Sequence, residues 1–163
     1  MSVTLPPFQQ LVDAHWRDVA RLAHSLAGPG EGDDVAQQAW TQALAAYPRL
    51  TSAANLRSWL MTITARCAMD GHRSRTRRPV PVEQLPEPPG SAPGADRPVV
   101  EADPGLWAQV RTLPPRQREA IALRYVADLD HAGVAAAMGT TPTATRRLVS
   151  DALAALRTEV EQQ

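Results

Sequence analysis

Apolar positions recur at three- and four-residue steps through the last third of the chain and predict a run of short helices. Pro114 and Pro115 open the first of them, at positions where a missing amide hydrogen costs least. The polar stretch from Asp128 to Asp130 then interrupts the helical pattern. The predicted apolar face of this first helix consists of Ile121, Leu123, Tyr125 and Val126.

Two more helices are predicted after that break, on either side of a tight turn. Gly139 stands where a left-handed residue commonly ends a helix, and Thr141 followed by Pro142 is typical of a new helix start. The apolar positions of the two helices are Val134, Ala135 and Met138, then Leu148, Ala152 and Leu156. A helix pair of this kind, with Arg146 and Arg147 on its second member, predicts a helix-turn-helix that enters the DNA major groove.

Three longer helices are predicted in the first half of the chain. The first stops at Gly28–Gly30, the second begins near Asp33 and ends at Pro48, and the third is capped by Thr51 or Ser52. Their apolar positions are Phe8, Leu11, Val12, His15, Val19, Leu22 and Leu26; then Val35, Ala39, Leu44 and Tyr47; then Leu56, Trp59, Leu60 and Ile63. The expected fold class is therefore all-α.

Proline content and charge divide the chain into three parts. Residues 79–105 hold eight prolines and three glycines, and they have too few bulky apolar residues to bury a core, so a flexible linker is predicted. This linker has one arginine against five acidic residues, whereas arginines exceed acids in both residues 1–78 and residues 106–163. The formal net charge of zero thus conceals two mildly basic parts. We expect two small helical domains, at 1–78 and 106–163, joined by this linker.

Several classes of protein are disfavoured by composition. Cys67 is the only cysteine, which excludes a disulfide framework and fits a reducing cytoplasm. The opening residues lack the charged start and apolar run of a signal peptide, and no apolar run is long enough for a membrane span. The histidines have no metal-ligand spacing, and Cys67, Asp70 and His72 are poorly spaced for catalysis. We expect no metal, no cofactor, no small-molecule substrate and no enzymatic activity.

Three motifs, in order, resemble the small two-domain bacterial sigma factors of the extracytoplasmic-function type. They are DDVAQQAW at 33–40, WLMTITARCAMDGHRSRTRR at 59–78, and LPPRQREAIALRYVADLDHAGVAAAMG at 113–139. The resemblance implies that the first part binds core RNA polymerase and melts the minus-ten promoter element. It implies that the last part binds the minus-thirty-five element as duplex, and that an anti-sigma factor is a candidate partner.

The resemblance and the residue chemistry together give three candidate sites. The polymerase-binding set comprises Asp33, Asp34, Gln37 and Gln38. The minus-ten set comprises Asn55, Arg57, Arg66, Asp70, Arg73, Arg75, Arg77 and Arg78, because arginines bind phosphates and the 48–55 loop lies where the family captures a flipped base. The minus-thirty-five set comprises Thr141, Thr143, Thr145, Arg146, Arg147 and Ser150.

The last helix pair departs from the family's usual pattern. Leu148 and Asp151 stand where arginines are common, and a carboxylate close to phosphates opposes DNA binding. Gly133 replaces a usual glutamate and is expected to weaken its helix by about 1 kcal/mol relative to alanine. Two alternatives therefore stay open: a helix-turn-helix regulator that binds DNA without polymerase, and a sigma-like module whose last helix binds a protein.

Overall fold

A computed structural model describes residues 3–77 and 104–162, in which the regular secondary structure is helical, with no strand among these residues. Within these ranges there is also no helix long and apolar enough to cross a membrane. The α-helices are α1 (Phe8–Ala27), α2 (Gly32–Ala46), α3 (Leu56–Arg77), α4 (Pro104–Thr112), α5 (Pro115–Ile121), α6 (His131–Met138) and α7 (Pro142–Glu161). The predicted all-α class is confirmed.

Helix α1 presents one buried face to the rest of the first half. Val19 and Leu22 are fully buried on it, and Leu11 and Leu26 are nearly so. Gly28 follows the helix with φ 84°, a left-handed backbone angle that glycine adopts without steric cost. The predicted stop at the Gly28–Gly30 sequence is confirmed.

Helix α2 follows after four residues and ends in a 3₁₀ turn, Tyr47–Arg49, which contains the predicted terminating proline. Its buried side is formed by Val35, Ala39 and Ala43. The assignment of Leu44 to this stripe is wrong, because the residue is 56% exposed. Ala43 is buried in its place, since its four-residue step from Ala39 keeps it on the helix face that meets the core.

Helix α3 begins at Leu56, several residues beyond the predicted caps. Asn55, at φ 59°, precedes it, and its carbonyl accepts the first helical bond from the amide of Trp59 at 3.0 Å. Ser52 instead closes a local turn, because its hydroxyl accepts from the amide of Ala54. The predicted cap at Thr51 or Ser52 is therefore wrong, and Asn55 sets the start of the helix.

Aromatic rings hold the three amino-terminal helices together. Phe8 packs edge-on against Trp40 and Tyr47, with ring centroids 6.0 Å and 5.2 Å apart, and Tyr47 also meets Trp59. The Tyr47 hydroxyl donates to the carbonyl of Pro6 at 2.5 Å, which ties the segment before α1 to this cluster.

The carboxy-terminal half contains a widened helical segment that the sequence pattern did not predict. Pro114 and Pro115 open α5 as expected, but the helix passes into a π-helical stretch, Ala122–Val126. The wider turn places Tyr125 outward, 53% exposed, while Leu123 and Val126 stay buried. The predicted position of Tyr125 on the apolar face is therefore wrong. Helix α4 was also missed; it begins at Pro104, inside the predicted linker, whose other residues lie largely outside the described ranges.

The helix-turn-helix is confirmed in its details. The Asp130 carboxylate accepts from the amide of Gly133 and starts α6, which ends at Gly139 in the left-handed conformation. Thr141 caps α7 through the amide of Ala144, and Pro142 occupies the first turn. Val149, Ala152 and Leu156 are buried, whereas Leu148 is half-buried.

The two halves of the chain pack against each other. Helix α1 lies against α4 and against the π-helical segment, and α3 lies against α5 and α6. The buried apolar residues form one cluster that includes Leu22 and Leu60 from the first half and Leu123 and Val134 from the second. The division of function between the predicted domains stays a prediction.

Candidate functional site

The first predicted set lies on the exposed face of α2. Asp34 and Gln38, one helical turn apart, are both exposed, and so are Asp33 and Gln37. Asp33 is 86% exposed at its side chain and is held by the ring of His24, whose Nε2 lies 2.9 Å from Oδ1. The face therefore offers two carboxylates and two amides to a basic partner.

Two candidates flank the start of α3, Asn55 in the preceding loop and Arg57 in the first helical turn. Asn55 is exposed. Arg57 is half-buried instead: its Nε lies 3.1 Å from Oδ2 of Asp18 on α1, and its Nη1 donates to the carbonyl of Ala127 in the second half. Arg57 is thus not available to DNA in this arrangement.

Helix α3 separates a polar face from a buried one. Arg66 and Asp70 are exposed and one turn apart, while Met61, Ala65 and Met69 are buried. Arg73, Arg75 and Arg77 belong to the described helix, but their side chains lie outside the described residues, and so does the whole of Arg78.

Cys67 is enclosed on the buried side of α3, only 1% exposed. Burial raises the pKa of its thiol, and the nearby carboxylate of Asp70 raises the pKa further. A thiol with a raised pKa is a poor nucleophile, which agrees with a packing role.

The third predicted set occupies the start of α7. Thr141, Thr143, Arg146, Arg147 and Ser150 are all exposed, and they face outward from the helix-turn-helix. The inclusion of Thr145 is wrong for this structure. Its side chain is fully buried, and its hydroxyl donates to the carbonyl of Thr141 at 3.1 Å.

Two residues that depart from the family's pattern have local partners. The carboxylate of Asp151 lies 3.9 Å from Nε of Arg147, so it partly neutralises the exposed basic face. A Cβ at Gly133 would lie 3.1 Å from Oδ1 of Asp130 and 3.3 Å from Leu129, closer than ordinary contact. Replacing Gly133 with alanine would therefore stabilise the helix by less than the expected value of about 1 kcal/mol, because the new methyl group crowds Asp130 and Leu129.

Two charged residues have structural roles that no sequence pattern indicates. Asp18 is 39 residues from Arg57, and no local motif marks the pair. Arg118 is buried, and burial followed by the neighbouring charge of Arg111 lowers the pKa of its guanidinium. Arg118 therefore does not contribute to the exposed basic surface. No group of three potential metal ligands occurs within the described ranges.

Comparison with known families matches both halves of the chain. Sigma-70 region 2 matches residues 11–78, and Sigma-70 region 4 matches residues 105–156. These two matches correspond to α1–α3 and to α4–α7.

Individual relatives agree with the family matches. The chain is 34% identical over 132 residues to the ECF RNA polymerase sigma factor SigD of Mycobacterium tuberculosis, covering 78% of this chain and 62% of that protein. It is 28% identical over 158 residues to SigC of the same species, covering 94% and 83%, respectively. The chain thus matches less than two thirds of the length of SigD.

Solved structures share the fold. The sigma factor RpoE of Bartonella quintana, determined with the anti-sigma factor NepR, superimposes with a TM-score of 0.72 at 23% identity, over 94% of this chain and 96% of that one. CnrH, determined with the cytosolic domain of CnrY, gives a TM-score of 0.68 at 21% identity, over 96% and 88%. Both family regions occur in order on the fold that they predict, and the chain belongs to the sigma-70 family of RNA polymerase sigma factors, in its extracytoplasmic-function group.

Proposed function

We propose that this protein is an alternative sigma factor, which binds core RNA polymerase and directs promoter recognition and transcription initiation. The observation that carries the proposal is the order of the two regions. A region 2 match on α1–α3 precedes a region 4 match that contains a complete helix-turn-helix. A regulator acting without polymerase needs only the second of these.

Each region has a distinct role in the proposal. Residues 1–78 bind polymerase through Asp33, Asp34, Gln37 and Gln38 and open the minus-ten element through α3. Residues 106–163 hold the minus-thirty-five element through α7, where Arg146 and Arg147 are exposed. Residues 79–105 connect them, and this tether raises the effective concentration of the second domain once the first is bound.

Strand opening in this proposal needs no catalytic residue. The amino-terminal domain binds single-stranded DNA better than duplex, and this difference in binding shifts the equilibrium towards the open strands. Arg66 is exposed for phosphate contact, and Asn55 is exposed in the loop before α3. The proposed location is the cytoplasm, where promoter DNA and polymerase are found.

An anti-sigma factor is included as a candidate partner. The related RpoE structure was determined with one, although that relative is only 23% identical to this chain. Such a partner would act by covering the α2 face or the α7 face.

The direct test combines association with core polymerase and run-off transcription. Asp34→Arg should weaken association at least tenfold, because it places a cation on the face proposed to meet basic polymerase residues. Asp13→Arg makes the same charge change at an exposed position of α1 and is the matched control. If the unmodified chain fails to associate with core enzyme but shifts promoter DNA alone, the polymerase-independent regulator is correct. If it does neither, the protein-interaction module is favoured.

A further inference from the structure

Arg57 joins the two halves of the chain through two different acceptors. Its Nε contacts the carboxylate of Asp18 on α1 at 3.1 Å, and its Nη1 donates to the backbone carbonyl of Ala127. The two side chains are each about two thirds buried, with 33% and 30% exposed. Asp18 orients the guanidinium, and the guanidinium reaches a residue 70 positions away in sequence.

The carbonyl of Ala127 is a natural acceptor for a cation. Ala127 follows the π-helical segment, and its own amide bonds to the carbonyl of Ala122. Carbonyls at the end of a helical segment lack intrahelical partners and carry partial negative charge. Arg57 therefore acts as a C-cap supplied by the other half of the chain, and the neighbouring Val126 and Leu129 are buried.

The closed arrangement is too small to hold both promoter elements. Elements centred ten and thirty-five base pairs upstream are about 25 base pairs apart, or about 85 Å along duplex DNA. A compact body of about 135 residues has a radius of gyration of only about 14 Å. The two halves must therefore separate before α3 and α7 can reach their respective elements.

Resting on the proposed function, we propose that Arg57 is a latch that holds the free chain closed and is released to DNA when the halves separate. The same guanidinium belongs to the predicted minus-ten set, and it cannot satisfy Ala127 and a DNA phosphate together. In the open chain the guanidinium loses Ala127 and, in the first turn of α3, can contact a DNA phosphate in place of the Asp18 carboxylate. Closing the chain thus removes a DNA contact and places α6 against α3.

The latch is tested by fluorescence energy transfer in the full chain. Dyes are attached at Gln42→Cys on α2 and Thr158→Cys on α7, both exposed, in a Cys67→Ser background. Asp18→Asn and Arg57→Gln should each increase the open population about twofold to tenfold, in keeping with a partly exposed ion pair. Asp13→Asn, on the same helix but away from the latch, should leave the transfer efficiency unchanged. Thermal melting verifies that each variant is folded.

Promoter binding by holoenzyme separates a latch from a purely structural contact. Asp18→Asn should strengthen promoter binding, because it weakens the closed state and leaves the Arg57 guanidinium free to contact DNA. Arg57→Gln should open the chain equally but weaken binding, because the DNA contact is lost. Unchanged energy transfer in both variants, while the unmodified chain still binds polymerase and transcribes, overturns the latch alone. If the variants open the chain but the unmodified chain does not bind polymerase, the proposed function is overturned. The assignment of Arg57 to DNA is then overturned with it.

Discussion

The imidazole of His24 lies directly over Gly32, with no room for a side chain between them. A Cβ at Gly32 would lie 2.5 Å from Nδ1 and 2.8 Å from the Cα of His24. The other ring nitrogen contacts the carboxylate of Asp33 at 2.9 Å, so the ring is confined on two sides. This packing sets how closely the start of α2 approaches the end of α1.

Replacing Gly32 with alanine should destabilise the protein by about 1–3 kcal/mol, because the new methyl group overlaps backbone as well as ring atoms. Gly30→Ala is the matched control, since nothing lies within 4 Å of a Cβ there. Urea unfolding of both variants measures the difference. Equal midpoints for the two variants would show that the ring moves aside without cost.

Removing the Asp130 cap should cost about 1 kcal/mol of stability in Asp130→Ala. The carboxylate accepts from the amide of Gly133 at 2.7 Å and starts α6. Asp130→Asn retains an acceptor oxygen and should stay close to the unmodified protein. A loss of the same size in both variants would point to charge rather than capping as the source of stability.

Cys67 should make the free energy of unfolding fall as the pH rises beyond the ordinary thiol range, about 8.5. Burial raises the pKa of this thiol, so the native chain keeps its proton when the unfolded chain has released it. The stabilising effect is fully present below the unfolded pKa and is lost at higher pH. Urea unfolding from pH 7 to 10, compared with Cys67→Ser, isolates this contribution; parallel curves would contradict it.

Asp151→Arg should tighten binding of holoenzyme to a cognate promoter and steepen its salt dependence, because it removes a carboxylate beside Arg147 and adds a phosphate-binding group. Fluorescence anisotropy over a salt series measures both effects. Glu159→Arg makes the same charge change at an exposed position near the other end of α7 and should have less effect. Equal or weaker affinity for Asp151→Arg would place the DNA face elsewhere on α7.

Local signals explain why much of the fold could be predicted. Gly28, Gly139 and the Thr141–Pro142 pair end or begin helices through their own backbone preferences, so their neighbours in space hardly matter. Tyr125 was misplaced because a π-helical turn changes the angular step between residues, which a regular period does not anticipate.

The site was less predictable wherever distant residues decide exposure. Thr145 has the residue type of a DNA contact, but the packing of α7 against α5 and α6 encloses it. Arg57 meets Asp18 and Ala127 only after the chain has folded, and no spacing in the sequence records that meeting. The exposed sets on α2 and α7 were easier to find, because amphipathic helices place polar residues outward.

The cluster of Phe8, Trp40, Tyr47 and Trp59 gives the amino-terminal half an intrinsic optical reporter. Indole emission depends on the local surroundings, and here two indoles are half-buried at the junction of three helices. Their spectrum would shift when that junction loosens, whereas Trp16 on the exposed side of α1 would contribute a nearly constant background. Trp107 is half-buried on α4 and would report the other half, so Trp107→Phe isolates the amino-terminal signal. Tryptophan fluorescence thus reports, without an added dye, whether the region proposed to bind polymerase is folded.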